Sequence, residues 1–406
     1  MDNLDLFKVA LGIGSDWEVT QVEFMREKNE LHLHLRYLRS ASLPACKECM
    51  AVGVHVHDYR SHTWRHLDFW QHKTYLHADV PRVRCEQGHV QVLDVPWARK
   101  GSGYTLLLEA MVLEMAKGMP VAQVAELVRL SDKKWWRIID GYVQRALARQ
   151  QLGAVRRVGV DETSRRSRHR SITIFMDLDT RKVIFITEGK GKQTIAAFSK
   201  HLRHHGGDPS RITDVTCDMS EAFLSGIAEH LPNAKVTLDR FHIIKLINEA
   251  VTEVRRRERR EQPCLKGAQY SVLKRPDNLN EKERALIADM EERNLETARA
   301  YHIRILFDDF FSQINAEQAR GFLKGWVAKA TQSGIDEMVT VASTVRKHWQ
   351  LIINWTTTRL SNGLLEGFNS LLQAMKASAR GYRTVEYITT IGYLIGLKPV
   401  EGFHHE

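Results

Sequence analysis

Three carboxylates far apart in the chain could do chemistry together: Asp161, Asp218 and Glu366. Asp161 ends the apolar run from Val155 to Val160, and Asp218 ends a second run from Ile212 to Cys217. Glu366 opens an amphipathic helix near the C-terminus. Two strand-borne aspartates and a helix-borne glutamate can converge on a pair of hard divalent cations, magnesium or manganese, which prefer carboxylate and water oxygens. Such a pair activates a nucleophile and stabilises the leaving oxygen in phosphodiester chemistry. The expected division has Asp161 bridging both ions, with Asp218 and Glu366 each binding one. Any one of these acids alone reads as a solvated charge; it is the joint placement at two strand ends and a helix start that singles them out.

A second set suits a different metal. Cys46 and Cys49 form a short Cys-x-x-Cys knuckle, and Cys85 with His89 follows beyond a β-rich segment. Two such pairs from separate turns supply the four ligands of a tetrahedral structural zinc. His55, His57 and His62 compete with His89 for the fourth place. The chain has five cysteines, too few and too clustered for a disulfide framework, which points to a reducing cytoplasm.

The elements that must hold these groups follow from periodicity. Glu30 to Tyr37 alternates, with Leu31, Leu33, Leu35 and Tyr37 on one face, and a second alternating region runs from Trp64 to Val83. Pro81 restricts the later part of that region to an edge or a strand end. Residues 1–95 thus read as a β-rich zinc module. Residues 96–150 read as helical, and Val121 to Tyr142 has the form of a helix-turn-helix. Pro120 opens its first helix and Ser131 caps the second. The second helix carries Lys133, Lys134 and Arg137 outward, suited to a DNA groove and its phosphates, with Trp136, Ile139 and Tyr142 packed inward.

From 151 to 244 the order is β-β-β-α-β-α-β, the order of an RNase H-like domain, in which the first and fourth strands are neighbours and their carboxylates meet. Arg165 to Arg170 is expected as a basic turn after the first strand, and Asp239 with His242 closes the last one, as an outer layer to the metal site or a DNA contact. Residues 245–355 read as an all-helical insertion, and 356–406 completes the core with the helix of Glu366. On that helix Leu364, Phe368, Leu371, Leu372 and Met375 form an apolar stripe. Glu366, Asn369, Gln373, Lys376 and Arg380 follow the opposite face, and Gly381-Tyr382-Arg383 ends it.

With 59 Lys+Arg against 49 Asp+Glu, the 406-residue chain carries a formal charge of +10, which favours a polyanionic partner. The run from Val254 to Glu261, with Arg255, Arg256 and Arg257, is a candidate for backbone contact with DNA. No secretory signal and no apolar stretch of membrane-spanning length is present, so a cytoplasmic protein is expected, nucleoid-associated when bound to DNA.

Trp64 to His72, Asp94 to Arg99, Val158 to Glu162, Asp239 to His242, Asn362 to Asn369 and Gly381 to Arg383 together resemble bacterial insertion-sequence transposases of the ISL3 family. The resemblance covers nearly the whole chain. It implies a DDE transposase that binds terminal inverted repeats, cuts DNA and joins the freed 3′ ends to a target, as a homodimer or larger assembly on DNA. Its catalytic acids fall on Asp161, Asp218 and Glu366, and its zinc ligands on Cys46, Cys49, Cys85 and a following His or Cys. Two other readings use the same residues: a zinc and helix-turn-helix regulator with an inactive catalytic domain, and an RNase H-like structure-specific nuclease.

Overall fold

Strand periodicity in the first hundred residues produces a mixed sheet. In the computed structural model, which describes residues 7–9, 11, 13, 15–38, 43–166 and 170–397, β1 (Trp17–Met25) pairs antiparallel with β2 (Glu30–Tyr37). β2 runs parallel to β4 (Lys73–Arg84), which pairs antiparallel with β3 (His55–Arg65) and with the short β5 (Val90–Val92). The inward row Leu31, Leu33 and Leu35 packs with Trp17, Trp64, Leu76, Val80 and Trp97. The expected single segment from Trp64 to Val83 is instead the end of one strand, a tight turn and a second strand. Pro81 lies inside β4, between the last residue paired to β2 and the first paired to β5, where its missing N–H breaks no ladder on that side.

Three helices follow: α1 (Leu106–Ala116), α2 (Val121–Leu127) and α3 (Asp132–Ala148). Thr105 caps α1 by accepting from Leu108 N–H, and Pro120 takes the N-cap position of α2. The residue of α3 that packs inward is Trp135, fully buried, and not Trp136, which is half-buried; Ile139 is buried as expected. Tyr142 donates to Glu109 (2.6 Å), a fully buried carboxylate that also takes a two-pronged bond from Arg99 and one from Ser102. These partners give Glu109 the charge-assisted bonds that a buried carboxylate requires.

The chain divides into two compact units whose boundary falls between Tyr142 and Val143. In the second, β6 (Arg157–Arg166), β7 (Arg170–Asp177) and β8 (Lys182–Glu188) form an antiparallel meander. The tip of the expected basic turn, residues 167–169, lies outside the described residues. Helix α4 (Lys192–His204) leads to β9 (Asp214–Cys217), and α5 (Glu221–His230) leads to β10 (Lys235–Leu238). The sheet order is β10-β9-β6-β7-β8, with β10, β9 and β6 parallel, so the first and fourth strands of the unit are neighbours. Phe175 on the sheet stacks on Phe198 of α4 at 4.4 Å, and these rings belong to the core between the sheet and α4 and α5.

Every regular element described from Arg240 to Thr358 is helical. α6 (Arg240–Glu258) leaves β10 directly, and α7 (Glu281–Glu292), α8 (Glu296–Asp308), α9 (Ala316–Gln332), α10 (Asp336–Lys347), α11 (Trp349–Ile353) and α12 (Trp355–Thr358) follow. Their shared core includes Tyr301, Phe307, Phe310, Leu323 and Trp326. The chain then returns to the sheet with α13 (Gly363–Ser378) and α14 (Val385–Gly396). Among the described residues no helix is long and apolar enough to cross a membrane.

Glycine at 159 leaves room on β6 for the Leu365 side chain of α13. A Cβ on Gly159 would lie 2.3 Å from Leu365 Cδ1 and 3.0 Å from Leu178 Cδ2. Gly159→Ala is therefore expected to push α13 outward and to cost about 1–3 kcal/mol, as overpacking typically does. Denaturant unfolding monitored by circular dichroism measures this, and an unchanged midpoint would show that the helix position is not set here.

Candidate functional site

Register brings the acids together. β6 and β9 pair Arg157 with Asp214, Val158 with Val215 and Gly159 with Thr216, and the same offset carries on to Asp161 and Asp218. β10 and β9 pair Leu238 with Cys217, which sets Asp239 beside Asp218. Three aspartates thus share one row across adjacent parallel strands, about 4.8 Å apart from strand to strand. Asp161 does not end its strand, as the sequence suggested. β6 runs on to Arg166 paired only with β7, so Asp161 stands just past the end of the parallel ladder, where the β9 side is open.

Helix α13 supplies the fourth acid and several anchors. The Asn362 backbone N–H donates to Asp239 Oδ1 (3.0 Å), and its side-chain amide donates to the Val160 carbonyl (3.0 Å). Asn369 Nδ2 donates to Asp161 Oδ2 (2.8 Å), while Asp161 Oδ1 accepts from the Glu162 backbone N–H (2.9 Å). Farther along, Gln373 donates to Thr163 Oγ1 (2.6 Å) and Lys376 to the Ser164 carbonyl (2.7 Å). The face of α13 therefore differs from the expected one: Leu365, Phe368, Asn369, Leu372 and Met375 are buried, whereas Leu364 and Leu371 are exposed. The reason is that the polar groups on this helix bond to the strand bearing Asp161, so the Asn369 row lies inward with the apolar one. Arg380 and Arg383 are exposed beside Gly381, whose φ of +92° ends the helix.

The electrostatics reflect four carboxyl groups in one place. Burial pushes the Asp161 carboxyl up to about 6, opposed by the positive charge of His242. Burial, with the charge of Asp239 and a hydrogen bond to it, pushes Glu366 up to about 7. Burial also acts to raise Asp239, but hydrogen bonds from His242, the Asn362 N–H and Glu366 outweigh it and hold that carboxyl down. His242 Nδ1 donates to Asp239 Oδ2 (3.1 Å), and this bond raises the imidazole above its usual value. Asp218 accepts from the Ser220 backbone N–H (3.0 Å). Among the described residues, buried Glu366 Oε1, Asn362 Oδ1 and Asn369 Oδ1 have no hydrogen-bond partner. Orphaned buried oxygens around hard carboxylate donors fit divalent cations. The acids do not close to a single-ion shell: among the described residues, only the Cys46, Cys49, Cys85 and His89 ligand atoms form such a group, all within 4.8 Å of one another.

That second group fits zinc. The Cys49 and Cys85 sulfurs are 3.7 Å apart, and His89 Nδ1 lies 3.5 Å from Cys85 Sγ and 3.8 Å from Cys46 Sγ. A tetrahedron with Zn–S near 2.3 Å and Zn–N near 2.0 Å has edges of about 3.8 Å between sulfurs and about 3.5 Å from sulfur to nitrogen. Hydrogen bonds from the backbone at Cys49 and Glu48 hold the Cys46 thiol down at about 6, favouring the thiolate that binds metal. Two short turns present the ligands. Met50 N–H bonds the Cys46 carbonyl (2.9 Å), and Gly88 N–H bonds the Cys85 carbonyl (2.9 Å), with Gly88 at φ +87°. Gln91 bridges the turns through Lys47 N–H and the Ala45 carbonyl, and Glu48 lies 3.5 Å from His89 Nε2. His55, His57 and His62 are outside the group.

The basic candidates divide. Lys133, Lys134 and Arg137 are exposed on the first turns of α3. The run on α6 is mostly structural: Arg255 is 2% exposed, its guanidinium on the Leu265 carbonyl (3.1 Å), and Arg257 is forked between Glu337 and Glu296. Arg255 is therefore not placed for a backbone contact, because its guanidinium is buried inside the helical segment, whereas Arg257 stays exposed with its guanidinium paired to glutamates. Arg256 stays exposed, paired with Glu253.

Removing the zinc is expected to destabilise the β-rich module. His89→Ala and Cys46→Ser should each lower zinc content below one ion per chain by plasma mass spectrometry and lower the first thermal transition, while His55→Ala, His57→Ala and His62→Ala should leave both unchanged.

Residues 158–391 match a sequence model described as transposase, residues 93–143 a helix-turn-helix domain of transposase family ISL3, and residues 42–89 the zinc-finger of the transposases of IS204, IS1001, IS1096 and IS1165. The chain is 26% identical over 433 residues to a transposase for insertion sequence element IS1557 from Mycobacterium tuberculosis, covering 97% of this chain and 96% of that protein. It is 25% identical over 391 residues to a transposase for insertion sequence element IS1001 from Bordetella parapertussis, covering 93% and 95%. With zinc-finger, helix-turn-helix and transposase regions matched in order, and the last spanning more than half of its length, the chain belongs to the ISL3 family of insertion-sequence transposases, DNA-binding and DNA-processing enzymes.

Proposed function

We propose that this chain cuts DNA at the terminal inverted repeats of its own insertion sequence and joins the freed 3′ ends to a target, in an RNase H-like domain interrupted by the helical segment after β10. The observation that carries this reading is the single row of Asp161, Asp218 and Asp239 facing the N-terminal turn of the helix that bears Glu366. Two magnesium or manganese ions held by Asp161, Asp218 and Glu366 would supply activation of the attacking hydroxyl and charge stabilisation of the departing oxygen.

The protein's own residues prepare that chemistry. Asn369 turns Asp161 so that one carboxylate oxygen is fixed by an amide and the other by a backbone N–H. Asp239 acts as a positioning residue: it ties the start of α13 to β10 through the Asn362 N–H, and it shares a hydrogen bond with Glu366. His242, whose bond to Asp239 favours the charged imidazole, is placed to offset part of the negative charge before metal or DNA arrives. Lys376, Arg380 and Arg383 extend from the same helix end as phosphate contacts, and Lys133, Lys134 and Arg137 read a groove of the terminal repeat. A homodimer or larger assembly holding both ends is part of this proposal, as is a zinc confined to a structural role.

The test uses purified full-length protein and duplexes carrying the inverted repeats that flank the gene. With magnesium or manganese, wild type is expected to yield nicked and strand-transfer products. Asp161→Asn and Glu366→Gln should bind the same duplex with unchanged affinity but lose at least about a hundredfold in rate. Hydrolysis without strand transfer would mark a structure-specific nuclease, and tight binding with no cleavage by wild type would mark a regulator.

A pH prediction follows from the carboxyl groups. Asp161 and Glu366 have folded values raised to about 6 and about 7 from ordinary values of 3.8 and 4.5. Their contribution to stability is complete below pH 4 and is lost as pH rises through about 7. Without added divalent ions, the thermal midpoint of the catalytic unit should fall between pH 5 and pH 8, and Glu366→Gln should flatten that slope. Added magnesium or manganese should raise the midpoint more at pH 8 than at pH 5, since the ions compete with protons for the same oxygens.

A further inference from the structure

The turn joining β3 to β4 is built at a cost that packing does not explain. Phe69 and His72 exchange backbone hydrogen bonds (2.9 and 3.0 Å), leaving Trp70 and Gln71 as a two-residue connection. Trp70 has φ +53°, and Gln71 is not among the positive-φ residues. Positive φ at the first central position alone is where such turns take glycine, and a tryptophan there is strained. Its indole is also 81% exposed, among the most exposed large apolar side chains described. A single exposed apolar residue needs no explanation, but an exposed tryptophan held in a disfavoured backbone conformation does.

The turn is braced, so the indole is held in place. Phe69 stacks under Trp70 at 4.9 Å and is itself backed by Phe7 and Phe24. Asp68 takes ion pairs from both Arg65 and Arg129. Arg129 also donates to the Gln71 carbonyl (3.2 Å), and it sits at φ +55° in the turn between α2 and α3. The same arginine therefore fixes the Trp70 turn to the turn of the helix-turn-helix, immediately before the exposed Lys133, Lys134 and Arg137.

We infer that Trp70 is a second DNA-contacting element, an aromatic wedge carried beside α3 and applied to the same duplex. The inference rests on the reading of α3 as the groove-facing helix. An apolar or aromatic side chain of this kind inserts at a base step or stacks on an exposed base, adding affinity without adding charge. Proximity to the basic end of α3 selects duplex DNA as the occupant over a protein surface, since Arg129 ties the Trp70 turn to the turn that leads into that helix.

Trp70→Gly tests it, because glycine accepts φ +53° without strain. The full-length, zinc-loaded protein is titrated against a fluorescein-labelled duplex of the gene-flanking inverted repeat at several salt concentrations. Trp70→Gly is expected to bind about tenfold more weakly or worse, with an unchanged salt slope and a thermal midpoint equal to or above wild type. Trp70→Phe should recover most of the affinity. Lys134→Ala should instead reduce the salt slope by about 1. Wild-type affinity in Trp70→Gly, with Lys134→Ala still impaired, would overturn the wedge alone. A midpoint several degrees below wild type would show that Trp70 serves packing and would overturn it too. If Lys134→Ala and Arg137→Ala leave both affinity and slope unchanged, the reading of α3 falls, and the placement of Trp70 falls with it.

Discussion

An unshifted parallel register across β6, β9 and β10 is the constraint on which the catalytic unit depends. Side chains in a sheet alternate faces, so moving one of these strands by a single residue would send its aspartate to the opposite side. The register is held by what lies beneath the acids: Val158, Val215, Cys217 and Leu238 are fully buried. A slip would exchange these apolar side chains for carboxylates on the inner face. The same apolar burial that forms the sheet thus fixes the acids in one row, and no separate interaction is needed to align them.

Alignment creates an electrostatic problem that the surrounding residues only partly solve. Four carboxyl groups gathered with little water favour protonation of some of them, which is the direction seen for Asp161 and Glu366. His242 and the Asn362 N–H, just before α13, both act mainly on Asp239. Glu366 is left with an unpartnered oxygen, as are the side-chain carbonyls of Asn362 and Asn369. The protein's own groups thus leave the charge of this arrangement partly unresolved, with many acceptors facing one place and the compensating charge on one side of it.

Much of this was legible in the sequence because each strand carries its own pattern. The alternation of Leu31, Leu33 and Leu35 and the order of strands and helices from 157 to 239 follow from local periodicity, and the three cysteine ligands follow from spacing, whereas the choice of His89 over His55, His57 and His62 needed the structure. Pair relations were less legible. That Asp239 shares the row with Asp161 and Asp218 depends on the offset between β9 and β10, and no residue type announces an offset. The face of α13 was misjudged for a related reason. Leu364 and Leu371 are as apolar as Leu365 and Leu372, and only the hydrogen bonds of Asn369 and Gln373 to β6 decide which row turns inward. On α3 the choice between Trp135 and Trp136 was equally invisible to composition.

Charge runs mislead for a geometric reason. Successive residues of a helix point about 100° apart, so consecutive arginines cannot share one face. On α6, Val251 and Val254 are buried, and Arg255 follows them into the interior, where the Leu265 carbonyl and its own long apolar stem accommodate it. Arg257, two residues on, reaches the acidic starts of α8 and α10 and joins three helices through Glu296 and Glu337. Of the three, only Arg255 is buried; Arg256 and Arg257 stay exposed, each paired with glutamate. The net positive charge of the chain is therefore not a map of its DNA-binding surface. What distinguishes Lys133, Lys134 and Arg137 is not their number. They stand exposed on the first turns of a helix whose inward residues, Trp135 and Ile139, fix which way they point.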